Sequence, residues 1–261
     1  MKHKIKNKYL QNISNKQKRL KVQELNEEIK DTEAKIKNTF KSFGLILLLL
    51  FWSYIPLIIL MGIGIDYNNF SNIGKIFYIT FCDVTLILFL LLIYKKDIIK
   101  DFKNFFNKDF FNNFKISLKY WSIGLAIMII SNLFISIITN GAIAGNEESV
   151  RELIDKMPLY MLFQIIIYAP LTEEIIFRKS IKDIFNNKYL YILTSGLIFG
   201  GLHVVSSLNS TLDLLYLIPY CSLGIAFAAL YTKTNNIFST ISVHALHNLL
   251  TFTLYLISCN L

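Results

Sequence analysis

The sequence predicts an all-α protein, a polytopic transmembrane bundle of about seven helices with a helical arm at its N-terminus. Two observations lead to this prediction. Hydrophobic residues make up 54% of the 261 residues, more than the roughly 45–50% of an ordinary soluble domain. They are concentrated in runs of about 18–24 residues, and such runs are long enough to cross about 30 Å of hydrocarbon.

The first segment, residues 1–41, is polar and rich in lysine. Within it Leu20, Val22, Leu25 and Ile29 form a partial helical stripe. The first hydrophobic run begins too late and is too long for a signal peptide. We therefore expect a basic, partly helical arm in the cytoplasm, either in contact with anionic lipid or solvated.

Seven hydrophobic runs follow the arm. We expect spans at about 43–65, 75–94, 120–139, 159–184, 189–207, 214–231 and 237–257. After the second run, an aromatic and basic segment is typical of a helix lying on the membrane surface; a re-entrant eighth span around Phe102–Phe114 stays open. The predicted organisation is a cytoplasmic basic arm (1–41), N-terminal spans with the interfacial helix (42–157), and a core carrying the polar motifs (158–261).

The distribution of charge predicts the orientation. The net charge is +9, and the basic residues lie in the arm and in alternate loops, as the positive-inside rule requires. Seven spans then place the N-terminus in the cytoplasm and the acidic loop at Glu147–Asp155 outside. The membrane accounts for the positive charge, so we expect a lipid bilayer and no nucleic acid as partner. The single cysteines Cys82, Cys221 and Cys259 have no zinc-ligand spacing.

Two adjacent carboxylates, Glu173 and Glu174, lie inside the fourth run. An ionisable residue within a span indicates a functional site. Glu174 and Arg178 are four residues apart, so they share a helix face and can pair. Glu173 points about 100° away and is free to face a cavity. The alternative is that both glutamates, paired with Arg178, only hold helices together.

Histidines and an amide supply further polar groups in later runs. His203 ends the sequence Phe199-Gly-Gly-Leu-His203, and His244 and Asn248 share a helix face, with His247 beside them. At about 1.5 Å per residue, Glu173 and His203 lie roughly 15–20 Å from their cytoplasmic ends. We therefore expect one shared cavity, open toward the cytoplasm.

Three other protease chemistries fit the sequence less well. The His-Glu-x-x-His pattern of soluble zinc proteases is absent. Ser195, the nearest match to a serine nucleophile, is eight residues from His203 and does not face it on a helix. An aspartyl mechanism needs two intramembrane aspartates, and Asp83 stands alone in its run.

The three patterns Glu173-Glu174-x-x-x-Arg178, Phe199-x-x-x-His203 and His244-x-x-x-Asn248 resemble the motifs of the CPBP family of intramembrane proteases. This family includes the type II CAAX prenyl endopeptidases and the bacterial Abi proteins, which act in bacteriocin processing and self-immunity. The resemblance covers roughly residues 159–257, the last three or four spans.

The resemblance implies cleavage of a peptide bond by an activated water molecule. Glu173 would be the general base and His203 would position and polarise the water. His244 and Asn248 would donate hydrogen bonds to the oxyanion, and Glu174 with Arg178 would be a structural pair. In the metalloprotease version, Glu173, His203 and His244 would hold a divalent metal such as zinc. The sequence leaves both versions open.

The function expected from this resemblance is that of an intramembrane endopeptidase. Its substrate would be a membrane-associated peptide or protein, for example in the maturation of a bacteriocin or signalling peptide or in self-immunity. One alternative is a non-catalytic membrane partner that gives immunity by binding. Another is a transporter with Glu173 and His203 as a proton relay.

Overall fold

The computed structural model describes residues 2–107 and 110–259, with side chains from residue 16 onward. Within these residues every regular element is helical, which confirms the all-α prediction. The helices are α1 (Lys2–Phe51), α2 (Ile55–Gly62), α3 (Asn72–Ile93), α4 (Lys95–Phe105), α5 (Phe110–Ile138), α6 (Gly145–Lys156), α7 (Pro158–Ser180), α8 (Lys188–Val205), α9 (Leu217–Thr234) and α10 (Ile237–Cys259). Short 3-10 turns lie at Tyr67–Asn69 and Thr211–Tyr216.

The described helices form a multi-pass membrane bundle. Six of them are long and hydrophobic enough to cross a bilayer: α3, α5, α7, α8, α9 together with the turn before it, and α10. The pair α1 and α2 adds a seventh if it is taken as one span. The expected number of about seven spans agrees with this count.

The first span differs from the prediction of one straight run over 43–65. Helices α1 and α2 meet at 72°, with a break between Phe51 and Ile55. Pro56 lies in the first turn of α2; proline has no backbone N–H and disfavours helical geometry in the residue before it. A straight continuation of α1 through this point is therefore disfavoured. The Trp52 indole at the break donates a hydrogen bond of 3.0 Å to Asp83 on α3.

The aromatic segment after α3 also differs from the prediction. Helix α4 has only 11 residues, too few to cross the bilayer, so it fits an interfacial helix rather than a re-entrant span. The later phenylalanines belong to α5, which starts at Phe110 rather than near residue 120. Phe110 and Phe114 stack at 6.0 Å one turn apart, a pairing that favours helix. Residues 108 and 109 lie outside the described residues.

Helix α7 is interrupted by two π-helical segments, Gln164–Tyr168 and Ile175–Ser180. In the first, the Ala169 N–H reaches back five residues to the carbonyl of Gln164. The same register would pair Pro170 with the carbonyl of Ile165, but proline has no N–H to donate. The amide of Asn248 on α10 donates to that carbonyl instead, at 3.0 Å. The irregular register of α7 is thus tied to α10 beside the two glutamates.

Helices α8 and α9 pack backbone to backbone through glycines. A Cβ added at Gly200 would lie 2.6 Å from the backbone nitrogen of Cys221, and one at Gly224 would lie 2.8 Å from the carbonyl oxygen of Gly196. Small residues permit this close approach. Because His203 follows Gly200 by three residues, the contact also fixes where His203 lies.

Candidate active site

A cavity of about 370 Å³ lies within the bundle. It is enclosed by α5 to α10, and Glu173, His203, His244 and Asn248 all line it. Other polar residues in its wall are Asn146, Glu147, Tyr160, Gln164, Tyr220, His247 and Thr251. Glu174 and Arg178 lie behind this wall, fully buried. The structure therefore brings all six sequence-predicted site residues together.

The cavity extends toward the end of the bundle that carries α6. On α7 its lining runs from Tyr160, near the α6 end of the helix, to Glu173, just past the middle of the helix, and α6 itself contributes Asn146 and Glu147. The sequence predicted a cavity open toward the lysine-rich ends of the helices, which were expected to be cytoplasmic. The lining lies toward the opposite, α6 end instead, so the predicted direction relative to the lysine-rich ends is wrong. His203 is only two residues from Val205, where α8 ends. A residue deep in the helix when counted from the lysine-rich end at Lys188 is therefore close to the membrane face on the α6 side.

Glu174 and Arg178 form the centre of a buried hydrogen-bond network. Arg178 donates to both Glu174 oxygens, Nε at 2.9 Å and Nη2 at 3.3 Å. Its third nitrogen, Nη1, donates to Ser195 Oγ at 2.8 Å, and Ser195 in turn donates to the Phe177 carbonyl at 2.7 Å. Ser195 is therefore engaged with Arg178, not with His203. Oε1 of Glu174 also bonds His244 Nδ1 at 2.9 Å.

Glu173 faces the two histidines from the other side of the helix. Its Oε2 lies 3.9 Å from Nε2 of His244 and 4.0 Å from Nε2 of His203. This oxygen is buried and has no hydrogen-bond partner within residues 2–107 and 110–259. A buried oxygen without a partner is costly unless water, a proton or a cation meets it.

The partners of the histidines determine which nitrogens point at Glu173. Nδ1 of His203 lies 2.8 Å from the carbonyl oxygen of Phe199, and Nδ1 of His244 bonds Glu174. A carbonyl and an ionised carboxylate only accept, so this network assigns the proton to Nδ1 in each ring. In the neutral rings both Nε2 atoms then present lone pairs toward Oε2 of Glu173. The three atoms surround a point suited to a water molecule or a cation.

Aromatic rings fix the planes of the two imidazoles. Phe199 lies 4.8 Å from the Arg178 guanidinium and 4.5 Å from the His203 ring. Tyr220 of α9 also stacks on His203 at 5.1 Å, and Phe227 contacts His244 at 5.5 Å. Tyr220 and Phe227 were not predicted as site residues, because only the packing of α9 against α8 and α10 brings them to the histidines.

The donor set fits a divalent metal in its chemistry. Metal-binding histidines typically donate their other ring N–H to a carboxylate or a backbone carbonyl, as His244 and His203 do here. Bonds of 2.0–2.1 Å place neighbouring ligands of tetrahedral zinc about 3.3 Å apart, against the observed 3.9 and 4.0 Å. In the described part of the chain no three His, Cys, Asp or Glu side chains are already at metal-binding distances. Binding would require these donors to close by less than about 1 Å.

Residues 155–250, which contain every predicted site residue, match the profile of the family described as type II CAAX prenyl endopeptidase, Rce1-like. This match confirms the resemblance over that part of the chain. It also supports the multi-pass membrane assignment and, at the level of the family, the assignment to proteases that act in the membrane.

Three curated relatives are similar to the chain. The UPF0177 protein YvdC of Lactococcus lactis is 27% identical over 70% of this chain and 66% of its own length. YdiL of Bacillus subtilis, whose name describes a candidate membrane peptidase, is 32% identical over 49% of this chain and 55% of its own. The UPF0177 protein YxdF of Lactococcus lactis is 25% identical over 52% and 80%, respectively.

The chain thus spans just under two thirds of YvdC and about half of YdiL. No solved structure matches the chain significantly.

Proposed function

We propose that this protein is an intramembrane endopeptidase in which Glu173 activates the water that hydrolyses a peptide bond. The observation that carries the proposal is the buried, unpartnered Oε2 of Glu173 facing Nε2 of His203 and Nε2 of His244. A water molecule between these atoms could donate one hydrogen to Glu173 and the other to His203. Both of its lone pairs would remain available to attack a carbonyl carbon.

In the proposed reaction Glu173 takes a proton from the water as its oxygen bonds to the substrate carbonyl carbon. The carbon–nitrogen bond then breaks, and Glu173 returns the proton to the leaving amine nitrogen. Atoms and protons balance, and Glu173 ends as it began. The position of Glu173 outside the Arg178 pair leaves its carboxylate able to accept that proton.

The oxyanion would be stabilised by His244 and Asn248. Because Nδ1 of His244 is engaged with Glu174, its Nε2 can donate to the oxyanion only when the ring carries a second proton. Asn248 uses one N–H on the Ile165 carbonyl, so its second N–H would serve the oxyanion. The support for both roles is the shared cavity wall.

A divalent cation such as zinc, if bound, would be held by Glu173, His203 and His244 and would lower the pKa of the attacking water. The two versions differ in one measurement. Washing the purified protein with a chelator abolishes cleavage in the metal version, and added zinc restores it. Cleavage that survives the wash supports the glutamate–histidine version.

We propose a membrane-associated peptide or protein as the substrate, with the maturation of a bacteriocin or signalling peptide, or self-immunity, as the biological setting. The cavity lies among helices long enough to cross the membrane, so a substrate would reach it from the lipid or from the α6 end.

The test compares membrane peptidomes of cells that carry the wild type or Glu173→Gln at equal expression. We expect a precursor to accumulate only with Glu173→Gln. The matched control is Glu152→Gln, a carboxylate on exposed α6 paired with Lys156 at the surface, which should process the precursor as the wild type does. A strain that lacks the gene is compared in parallel. If the two peptidomes are identical and Glu173→Gln rescues the phenotype of that strain, the protease function is refuted and a partner that acts by binding is favoured.

A further inference from the structure

A second buried carboxylate, Asp83 of α3, lies apart from the site and is only 4% exposed. Its Oδ1 accepts from the Trp52 indole at 3.0 Å. Its Oδ2 accepts from the Tyr160 hydroxyl at 3.0 Å and from Nε2 of Gln164 at 2.6 Å. We call these four residues the Asp83 cluster. Trp52 and Asp83 precede the segment that matches the family.

The Asp83 cluster joins the N-terminal helices to the cavity wall. A carboxyl group within a span is costly and usually marks function. The Trp52 bond ties the break between α1 and α2 to α3. Tyr160 and Gln164, by contrast, both line the cavity that holds Glu173. The cluster therefore ends at the space where a substrate would bind.

Asp83 sets the orientation of the Gln164 amide. Gln164 turns its NH₂ group toward Oδ2 of Asp83, the orientation that a carboxylate oxygen acting as acceptor requires. The same nitrogen also donates to the Tyr160 hydroxyl at 2.8 Å, so both of its hydrogens are used. Oε1 makes no hydrogen bond to the described residues and is not among their fully buried polar atoms. Gln164, a residue of the cavity wall, thus has an acceptor that no described residue uses.

We infer that the Asp83 cluster presents Oε1 of Gln164 to accept a hydrogen bond from a backbone N–H of the bound peptide, an inference that rests on the proposed protease function. A peptide in a cavity within the membrane cannot leave its N–H groups unpaired without cost. Gln164 is nine residues from Glu173 on α7, or about 13 Å at 1.5 Å per residue. An extended peptide covers that distance in about four residues. Gln164 would be a binding residue and Asp83 a positioning residue.

The test is an ester scan with the full-length protein in nanodiscs. A fluorogenic decapeptide is chosen from a combinatorial library because the wild type cleaves it and Glu173→Gln does not. Each backbone N–H is then replaced in turn by an ester oxygen, which removes one donor. We expect the wild type to lose roughly five-fold in kcat/KM at one position, about four residues from the cleaved bond, as one lost neutral hydrogen bond implies.

Two variants locate the effect. Gln164→Met keeps the length of the side chain but has no amide acceptor, so it should cleave the all-amide peptide more slowly and lose the position dependence. Asp83→Asn can accept from or donate to Gln164, so the amide is no longer held in one orientation and the ester penalty should shrink. The control is Thr85→Val, two residues along α3 on its exposed face, which should keep the full penalty.

The outcomes separate the two claims. If Gln164→Met and Asp83→Asn retain the wild-type ester penalty at the same position, the inference is overturned and the protease stands. A uniform loss of rate across all esters in Asp83→Asn would mean a purely structural role and would also overturn it. If Glu173→Gln cleaves the library as fast as the wild type, the proposed function fails and this inference with it.

Discussion

At the scale of single residues, Arg178 has a full charge with no exposed surface. Its guanidinium meets two carboxylate oxygens, a hydroxyl and a phenylalanine ring. Buried pairs of this kind often stabilise a protein no more than hydrophobic residues would. Because Glu174 also holds Nδ1 of His244, we infer that the pair serves to orient that imidazole.

Arg178→Met tests this interpretation. Removing the guanidinium leaves Glu174 buried and uncompensated, which should cost about 3–5 kcal/mol of unfolding free energy. The double variant Glu174→Gln/Arg178→Met removes both charges and should recover most of that stability. It should not recover cleavage, because His244 loses its charged acceptor. Thermal unfolding in detergent and a cleavage assay measure the two effects, and a double variant as active as the wild type would contradict the role in orientation.

The residues differ in how far the sequence could predict them. Pairing of Glu174 with Arg178 follows from their spacing of four on a helix. The bond from His244 to Glu174 spans 70 residues of sequence and depends on how α10 meets α7. The same holds for Asp83, which stands alone in its own run and gains Tyr160 and Gln164 only through the packing of α3 on α7.

At the scale of elements, the contact between α8 and α9 makes a sharp prediction about two adjacent glycines. Gly200→Ala would place a Cβ 2.6 Å from the Cys221 nitrogen, so the helices must separate, whereas Gly201→Ala enters open space. Both changes raise helix propensity equally. We expect Gly200→Ala to lower cleavage at least ten-fold by moving His203, and Gly201→Ala to leave it near the wild-type rate. Equal activities would show that the close approach does not position His203.

The junction of α4 with α10 predicts a dependence of stability on pH. Asp101 of α4 accepts from the Ile237 N–H at the start of α10 at 3.0 Å, and burial raises the pKa of its carboxyl above the ordinary value. The folded protein therefore holds a proton that the unfolded chain has already lost. Stability falls as pH rises from the ordinary carboxyl pKa to the raised one, and levels off above it.

Asp101→Asn mimics the protonated carboxyl and keeps an acceptor for Ile237, so it should not lose stability over this interval. We expect the melting temperature of the variant, relative to the wild type, to increase as pH rises from about 3 to about 7. Melting curves in one detergent at several pH values measure the difference. A constant difference would mean that Asp101 titrates alike in the folded and unfolded chains.

Sequence patterns predict where helices lie better than they predict kinks, breaks and π-segments within those helices. Pro170 is visible in the sequence, but proline inside a helix permits a kink, a break or a π-segment. The choice of a π-segment at Gln164–Tyr168 depends on Asn248 meeting the carbonyl that Pro170 leaves open. At the break before Pro56, the Trp52 indole is likewise held by Asp83 of another helix. In both places a contact from another helix, which the local sequence does not show, meets the irregular segment.

At the scale of the whole molecule, run length and charge predicted the number of spans but not the side on which the cavity lies. Run length reports only whether a helix can cross the bilayer. The side of the cavity depends on where along each helix the polar residues lie relative to α6. Glu173 and His203 lie in consecutive helices that cross the membrane in opposite directions. Whether they lie at the same depth can be judged only when the ends of both helices are known.

The cavity on the α6 side, combined with the charge pattern, predicts that substrates reach the site from outside the cell. Cysteine labelling tests this in a background without Cys82, Cys221 and Cys259, of which Cys259 is exposed. Ser149→Cys on the exposed face of α6 should react with an impermeant maleimide in intact cells, and Asn186→Cys, in the loop after α7, only after lysis. The reverse pattern would place α6 and the cavity on the cytoplasmic side. The candidate substrates would then be peptides before export rather than peptides arriving at the cell surface.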